Sequence, residues 1–181
     1  MLSAVVAARF AVVAGLLAAQ PAPAPVPPPA PPPIAVTVAE TAAILEAIKA
    51  PGATAVLVNV WATWCEPCRE EMPDLVRFYR EHRGKGVRLV MVSADDEDQA
   101  ATVGRVLASV GLDAKAFIKS GGDAAFIDSL DPKWRGAIPA TFLFDGKGTR
   151  RHSWLGPVTY QALRSRVGEL LSAPDKKPAK K

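Results

Sequence analysis

Short apolar runs and helically spaced apolar positions alternate along the centre of the chain. Residues 56–60 form an apolar run rich in β-branched side chains, which predicts a buried strand. A helix is predicted after this strand and ends at Gly84 and Gly86, and residues 87–93 predict a second buried strand. The helix between the two strands has apolar side chains at i, i+3, i+4 and i+7, namely Met72, Leu75, Val76 and Tyr79. The order strand, helix, strand predicts a parallel pair joined by a right-handed crossover.

Further helices are predicted on both sides of this unit. An acidic cluster at residues 95–98 is suited to a helix start, and Gly111 to the stop of that helix. Residues 117–130 are interpreted as an insertion with a short strand and a helix. Between the cluster and Gly111, helical spacing is kept by Val103, Val106, Leu107 and Val110. Nearer the N-terminus an extra helix is indicated by Ile44, Leu45 and Ile48.

The second half of the chain changes to an antiparallel pattern. Residues 141–144 predict a strand, residues 145–148 have hairpin-turn chemistry, and residues 150–155 predict the return strand. The closing amphipathic helix has an apolar face made of Leu163, Val167, Leu170 and Leu171. A parallel β-α-β half joined to an antiparallel β-β-α half predicts an α/β fold with a central mixed sheet flanked by helices.

The N-terminal part of the chain has a different character. After Arg9 comes an apolar run, residues 10–19, that is shorter than the roughly 20 residues needed to span a bilayer and is typical of a secretory signal. The context after the run is poor for cleavage, so residues 1–20 are either a signal peptide or an uncleaved N-terminal anchor. Residues 21–35 are rich in proline and predict an extended linker, with a leader of no function as the alternative.

The net positive charge lies at the two ends of the chain. Of the formal net charge of +4, Arg9 carries +1 and residues 173–181 carry +3, so the chain between them is close to neutral. The basic character belongs to this C-terminal tail, which is predicted to be disordered. Nucleic-acid binding is therefore not expected. The predicted folded domain spans residues 36–172.

The two cysteines of the chain, Cys65 and Cys68, stand at the junction of the first predicted strand and its helix. Unpaired N–H groups and the helix dipole stabilise a thiolate at a helix N-terminus. A first cysteine placed there has a pKa below the free value of about 8.5, so Cys65 is the predicted nucleophile. Cys68, one turn into the helix, is predicted to be shielded and to resolve the mixed disulfide. Pro67 is tolerated in the first turn, where N–H groups lack helical partners.

Two other interpretations of the cysteine pair are weaker. A structural disulfide that closes so short a loop removes little chain entropy. A zinc site needs two more ligands, and His82 and His152 lack the paired spacing of a metal motif. No metal and no cofactor are predicted.

Two separated motifs agree in order and spacing with a known family. The first is Leu-Val-Asn-Val-Trp-Ala-Thr-Trp-Cys-Glu-Pro-Cys-Arg at residues 57–69, with Pro73 five residues beyond the second cysteine. The second is Ile-Pro-Ala-Thr-Phe-Leu-Phe-Asp-Gly at residues 138–146. Together they resemble the TlpA/ResA-like thiol-disulfide oxidoreductases of the thioredoxin superfamily. The resemblance implies a three-layer thioredoxin-like fold with an N-terminal extension and a central insertion.

The resemblance also implies a place where substrate binds. The bond between Ile138 and Pro139 is expected to be cis, and the main chain of Ile138 to pair with an extended peptide. Trp64, directly before the first cysteine, is predicted to border this surface, whereas Trp61 is predicted to be a core side chain.

The proton acceptor for Cys68 is left open. Thioredoxin itself has a buried Asp in the first strand, and Asn59 stands at the corresponding position here. Glu71 matches a carboxylate that the TlpA/ResA-like branch keeps near the active site, and Glu66 between the cysteines is a second candidate. For either glutamate, a solvated residue in an acidic first turn is the alternative.

The predicted function is an exported thiol-disulfide oxidoreductase that reduces or exchanges protein disulfides. The resemblance implies a periplasmic or otherwise extracytoplasmic location, protein thiols and disulfides as substrates, and a membrane thiol-disulfide donor, as in cytochrome c maturation. The alternatives are a disulfide oxidase or isomerase of the same fold and a peptide-binding module without activity. A peroxiredoxin is an enzyme alternative on the same scaffold. It is disfavoured, because a peroxiredoxin expects Thr or Ser three residues before its reactive cysteine, and Ala62 stands there.

Overall fold

A computed structural model describes residues 31–172 of the chain. The predicted leader, most of the predicted linker and the basic tail lie outside these residues. The strands are β1 (Thr37–Ala39), β2 (Ala55–Trp61), β3 (Val87–Ser93), β4 (Lys115–Lys119), β5 (Ala140–Asp145) and β6 (Arg150–Leu155). The helices are α1 (Thr41–Lys49), α2 (Glu66–His82), α3 (Ala100–Ser109), α4 (Asp123–Leu130) and α5 (Tyr160–Ser172). Of these described helices, none has the length and apolar character needed to cross a membrane.

The six strands form one mixed sheet in the order β1-β4-β3-β2-β5-β6. The first four in this order are mutually parallel, whereas β5 is antiparallel to β2, and β6 to β5. At the centre, Val58 is in register with Val90 on one side and with Phe142 on the other. The predicted α/β fold, a parallel half joined to an antiparallel half, is confirmed.

Helices cover both faces of the sheet and make three layers. Every residue of β2 is buried, as is usual for a central strand that is covered on both sides. Because successive side chains of a strand point to opposite faces, Leu57 and Val58 belong to different cores. The core with Leu57 contains side chains of α2, α3 and α5, among them Leu75, Val103 and Leu163. The core with Val58 contains side chains of α1 and α4, among them Ile44, Ile48 and Phe126.

Two details go beyond the predicted elements. The three-residue strand β1 pairs with β4 at the sheet edge and is too short to leave a periodic signal. Ahead of it, the main-chain N–H of Ile34 donates to the carbonyl of Gly104 in α3 at 3.3 Å. A Cβ atom at Gly104 would lie 2.6 Å from the carbonyl oxygen of Ile34, so only glycine permits this close approach.

The acidic cluster divides between two roles. A 3-10 turn, Glu97–Gln99, precedes α3, so most of the cluster lies at the start of a helical segment as predicted. Asp95 is different because it is buried and bonded to the segment before the cysteines. Its assignment to the helix start is wrong.

Candidate functional site

The two cysteines lie where β2 passes into α2. Cys65 is the N-cap residue of α2, and the main-chain N–H of Cys68 donates to its Sγ atom at 3.3 Å. The main-chain N–H of Cys65 donates to the carbonyl of Ala62 at 3.2 Å in the turn between strand and helix. Cys65 and Cys68 form a disulfide. Pro67 lies in the first turn, where it displaces no helical hydrogen bond.

The two cysteines differ in exposure. Cys68 is fully buried in the core beneath α2, whereas Cys65 retains 6% exposure. Trp61, the last residue of β2, is fully buried as predicted, and Trp64 is 69% exposed. Cys65 is therefore the cysteine nearer to solvent, and a large apolar side chain is exposed directly before it.

The second predicted motif lies at the same edge of the sheet as the cysteines. The bond between Ile138 and Pro139 is cis. Pro139 directly precedes β5, whose first residue, Ala140, is in register with Val60 near the end of β2. The carbonyl of Pro139 accepts the main-chain N–H of Gly156 at 3.0 Å, which ties this loop to the end of β6. The fold thus brings together two motifs that are about seventy residues apart in the sequence.

Apolar surface and a cavity lie beside Pro139. Leu155 is 56% exposed and is the register partner of Ala140. A cavity of about 270 Å³ opens next to Ile138, on the face of the sheet that α4 covers. Its apolar lining includes Val60, Val92, Phe126 and Trp134.

A buried carboxyl group lies one helical turn beyond Cys68. Glu71 is 5% exposed, and its Oε1 atom accepts the side-chain amide of Asn59 at 2.7 Å. Its Oε2 atom accepts the main-chain N–H of Val158 at 2.6 Å. The amide nitrogen of Asn59 also donates to Thr141 Oγ1 at 2.9 Å. Glu71 thereby links α2 to β2 and to the segment before α5, and the amide extends this network to β5.

The two predicted glutamates have different surroundings. Burial raises the pKa of Glu71 above its ordinary value, although hydrogen bonds from Val158 and Asn59 oppose the shift. A carboxyl group with a raised pKa exchanges protons closer to neutral pH. Glu66 is exposed in the first turn of α2. The alternative of a solvated first-turn residue therefore describes Glu66 and is wrong for Glu71.

Asp95 is a side chain of this region that the sequence-based prediction missed. Its Oδ2 atom accepts the main-chain N–H of Thr63 at 2.9 Å, and its Oδ1 atom accepts the Thr63 hydroxyl at 2.6 Å. A signal was available, because Asp95 follows β3 almost directly. β2 and β3 are parallel, so the residues after their carboxyl ends meet at one edge of the sheet.

The groups with redox or acid-base chemistry that the structure brings together are Cys65, Cys68 and Glu71. His82 lies at the C-terminal end of α2 and His152 in β6. Within residues 31–172, no group of three or more histidine, cysteine, aspartate or glutamate side chains is arranged as a metal site. The arrangement is suited to thiol-disulfide exchange coupled to proton transfer.

Comparison with known proteins agrees with this chemistry. Residues 32–168 match the model of the Redoxin family. The thiol:disulfide interchange protein DsbE of Allochromatium vinosum is 30% identical over 123 residues, which cover 64% of this chain and 59% of that protein. The thiol-disulfide oxidoreductase ResA of Bacillus thuringiensis is 31% identical over 119 residues, which cover 66% of this chain and 63% of that protein. The chain thus spans about six tenths of the length of these relatives.

A solved structure supports the fold. The thioredoxin-related protein from Neisseria meningitidis serogroup B has a TM-score of 0.58 and 27% sequence identity, over 68% of this chain and 90% of that one. The predicted thioredoxin-like fold is confirmed.

Proposed function

The chain belongs to the Redoxin family, and we propose that it is an exported thiol-disulfide oxidoreductase that reduces or exchanges protein disulfides through Cys65 and Cys68. The observation that carries the proposal is the disulfide between these residues at the N-terminus of α2, at the same sheet edge as Pro139. Relatives named thiol-disulfide oxidoreductase and thiol:disulfide interchange protein support it.

The first step starts from the reduced pair. The Cys65 thiolate attacks one sulfur of a substrate disulfide, a bond between Cys65 and the substrate forms, the substrate S–S bond breaks, and the released thiolate takes up a proton. The N-terminus of α2 stabilises the attacking thiolate because its first N–H groups have no helical partner. One of these groups, the N–H of Cys68, already donates to the Cys65 sulfur at 3.3 Å.

In the second step Cys68 resolves the mixed disulfide. Its thiolate attacks the Cys65 sulfur, the intramolecular disulfide forms, and the second substrate thiol leaves, so two electrons pass to the substrate. Cys68 is fully buried, and apolar burial disfavours a thiolate. A nearby proton acceptor therefore accelerates this step. Glu71 is that acceptor in our proposal, because it lies three residues further along α2, on the same helix face, and its pKa is raised. Asn59 positions its carboxyl group.

Substrate docking is proposed at Trp64, Ile138 and Pro139. The main chain of Ile138 pairs with an extended segment of the substrate. The exposed indole of Trp64 supplies a rigid apolar surface next to the attacking sulfur. The cavity beside Ile138 offers room for one side chain of the bound segment.

The proposed setting is periplasmic or otherwise extracytoplasmic. The support is the apolar run at residues 10–19, as part of a signal peptide or anchor, followed by the proline-rich linker. Protein disulfides are the proposed substrates, with a role in cytochrome c maturation. A membrane thiol-disulfide donor returns two electrons to the pair after each turnover.

Reduction of insulin by a small dithiol tests the activity. We expect the wild type to accelerate precipitation of the insulin chains and Cys65→Ser to be inactive. A wild type that folds but does not accelerate the reaction would leave the peptide-binding module as the better function.

An equilibrium redox titration tests the direction of the reaction. A potential near the thioredoxin value of about −270 mV fits a reductase, whereas one near −120 mV fits a disulfide oxidase. We expect the first result. The second would replace the reductase by the oxidase on the same cysteine chemistry.

A further inference from the structure

The segment that leads into Cys65 is held by a buried carboxyl group. Asp95 is 6% exposed and accepts both the main-chain N–H and the hydroxyl of Thr63. The hydroxyl of Ser93 donates to the same carboxyl group, and its oxygen accepts the main-chain N–H of Asp95 at 3.0 Å. Both carboxyl oxygens are therefore bonded, and two of the three bonds hold Thr63, two residues before the proposed nucleophile.

The main chain adds to this attachment. The N–H of Ala94 donates to the carbonyl of Trp61 at 2.8 Å, directly beyond the last register pair of β2 and β3. The N–H of Cys65 is bonded to the carbonyl of Ala62. The turn between β2 and α2 is thus fixed at both ends, and Asp95 holds its middle. These bonds hold the carboxyl group of Asp95 against the turn that leads into Cys65.

The donors to Asp95 are neutral. Within the described part of the chain, Asp95 has no partner among the salt bridges, so its negative charge is not offset by a paired cation. Charges inside a protein are screened less than charges on its surface. The other charged groups of the first turns of α2 are Glu66, Arg69 and Glu70, which are exposed, and Glu71, which is buried.

A thiolate at Cys65 develops at the N-terminus of α2, which favours negative charge. The negative charge of Asp95, which is held against Thr63 two residues before Cys65, opposes it, because like charges nearby disfavour the ionised form. Resting on the redox function proposed above, we propose that Asp95 is a positioning residue that holds Thr63 and, by its charge, shifts the equilibrium of the cysteine pair from the dithiol towards the disulfide. It makes the pair a stronger reductant.

Asp95→Asn separates the charge from the geometry. The oxygen of the new amide can accept from the Thr63 N–H and from Ser93, and its nitrogen can donate to the Thr63 hydroxyl, which then acts as acceptor. The reaction to measure is reduction of the protein disulfide by two molecules of glutathione, which yields the dithiol and glutathione disulfide. At pH 8 we expect its equilibrium constant to rise about tenfold, or about 30 mV for two electrons.

Asp96→Asn is the matched control. It removes the same charge one position later from an exposed side chain, and we expect the constant to change by clearly less than the roughly twofold shift expected for Ser93→Ala. An unchanged constant in Asp95→Asn, or an equal rise in Asp96→Asn, overturns the proposal. If Asp95 had only a structural role, Asp95→Asn would lower the melting temperature without changing this constant.

Two more variants keep the proposal falsifiable if Asp95→Asn does not fold. Ser93→Ala removes one donor and leaves the charge of Asp95 less neutralised, so we expect a shift of about twofold towards the disulfide. Thr63→Val removes a hydroxyl and leaves the charge, so its shift should stay below threefold. The assignment is contradicted if the equilibrium constant of Ser93→Ala is unchanged or shifts towards the dithiol. It is also contradicted if the constant of Thr63→Val shifts tenfold. Glutathione equilibrium requires no protein substrate, so inactivity towards insulin would count only against the proposed function.

Discussion

The two cysteines are three residues apart and have opposite surroundings. Cys65 lies beside the exposed Trp64, on a turn whose partners are the buried carboxyl group of Asp95 and main-chain groups. Cys68 is fully buried, and the nearest polar group further along its helix face is Glu71.

This difference shows how one turn of helix can serve two chemical steps. In the proposed mechanism, the exposed side permits approach of a large substrate, and the helix N-terminus stabilises the charge that attack requires. Burial excludes water from Cys68 and disfavours its thiolate, and in the proposed mechanism its proton passes to Glu71, which is also buried.

Substitution of each cysteine is the most direct test of the different roles proposed for Cys65 and Cys68. Cys65→Ser removes the proposed nucleophile, so we expect turnover to fall to background. Cys68→Ser leaves the proposed nucleophile and removes the proposed resolving group, so a stable mixed disulfide with the substrate should accumulate. Non-reducing electrophoresis and mass spectrometry measure it. Accumulation in Cys65→Ser instead would reverse the two roles.

We expect Glu71→Gln to affect the step proposed for Cys68 and not the step proposed for Cys65. Because general acid-base catalysis contributes about a hundredfold or more, we expect turnover to fall at least about tenfold, with the rate of the first attack unchanged. Stopped-flow measurement of single turnovers separates the two steps. Glu70→Gln is the control, since this neighbouring glutamate is exposed. Equal rates in the two variants would remove Glu71 from the mechanism.

We expect Trp64→Ala to affect substrate docking next to Cys65 and not the step proposed for Cys68. Loss of an exposed aromatic contact at a binding surface is worth about 1 kcal/mol or more, so we expect KM for insulin to rise about fivefold with kcat nearly unchanged. Val38→Ala, which trims an exposed apolar side chain on β1, should leave both constants as they are. A fall in kcat at unchanged KM would place Trp64 outside the docking surface.

The pH dependence of stability tests whether the pKa of Glu71 is raised in the folded protein. A raised pKa of Glu71 in the folded protein means that the folded state holds its proton to higher pH than the unfolded state does. Glu71 therefore lowers the free energy of unfolding progressively as pH rises through its ordinary pKa, and has no such effect below it. Glutamine does not titrate, so the stability of Glu71→Gln relative to the wild type should increase from pH 4 to pH 7. Urea unfolding at both pH values measures this, and a constant or opposite difference would contradict the raised pKa.

Elements with strong periodicity were predictable from the sequence. β3 has the predicted bounds, and α2 contains the predicted apolar face, because burial of one side repeats at a regular interval. β1 was not predictable, since three residues are too few to show a period. The side chains of Glu71 and Asp95 were misjudged or left open because each stands among exposed acidic neighbours. Nothing in the local spacing distinguishes a buried carboxyl group from the exposed ones next to it.

The fold class and the position of the cysteine pair at a strand-to-helix junction were predictable from the amino-acid sequence, and the family resemblance of the two motifs implied the association with Pro139. These features depend on local periodicity, on helix-start chemistry and on motifs that are continuous in the chain. The polar groups around the pair are brought there by contacts between segments that are far apart in the chain. Glu71 is bonded to Asn59, 12 residues away, and to Val158, 87 residues away, whereas Thr63 is bonded to Asp95, 32 residues away. Such contacts arise when parallel and antiparallel strands end at a common edge, and short-range spacing does not encode them.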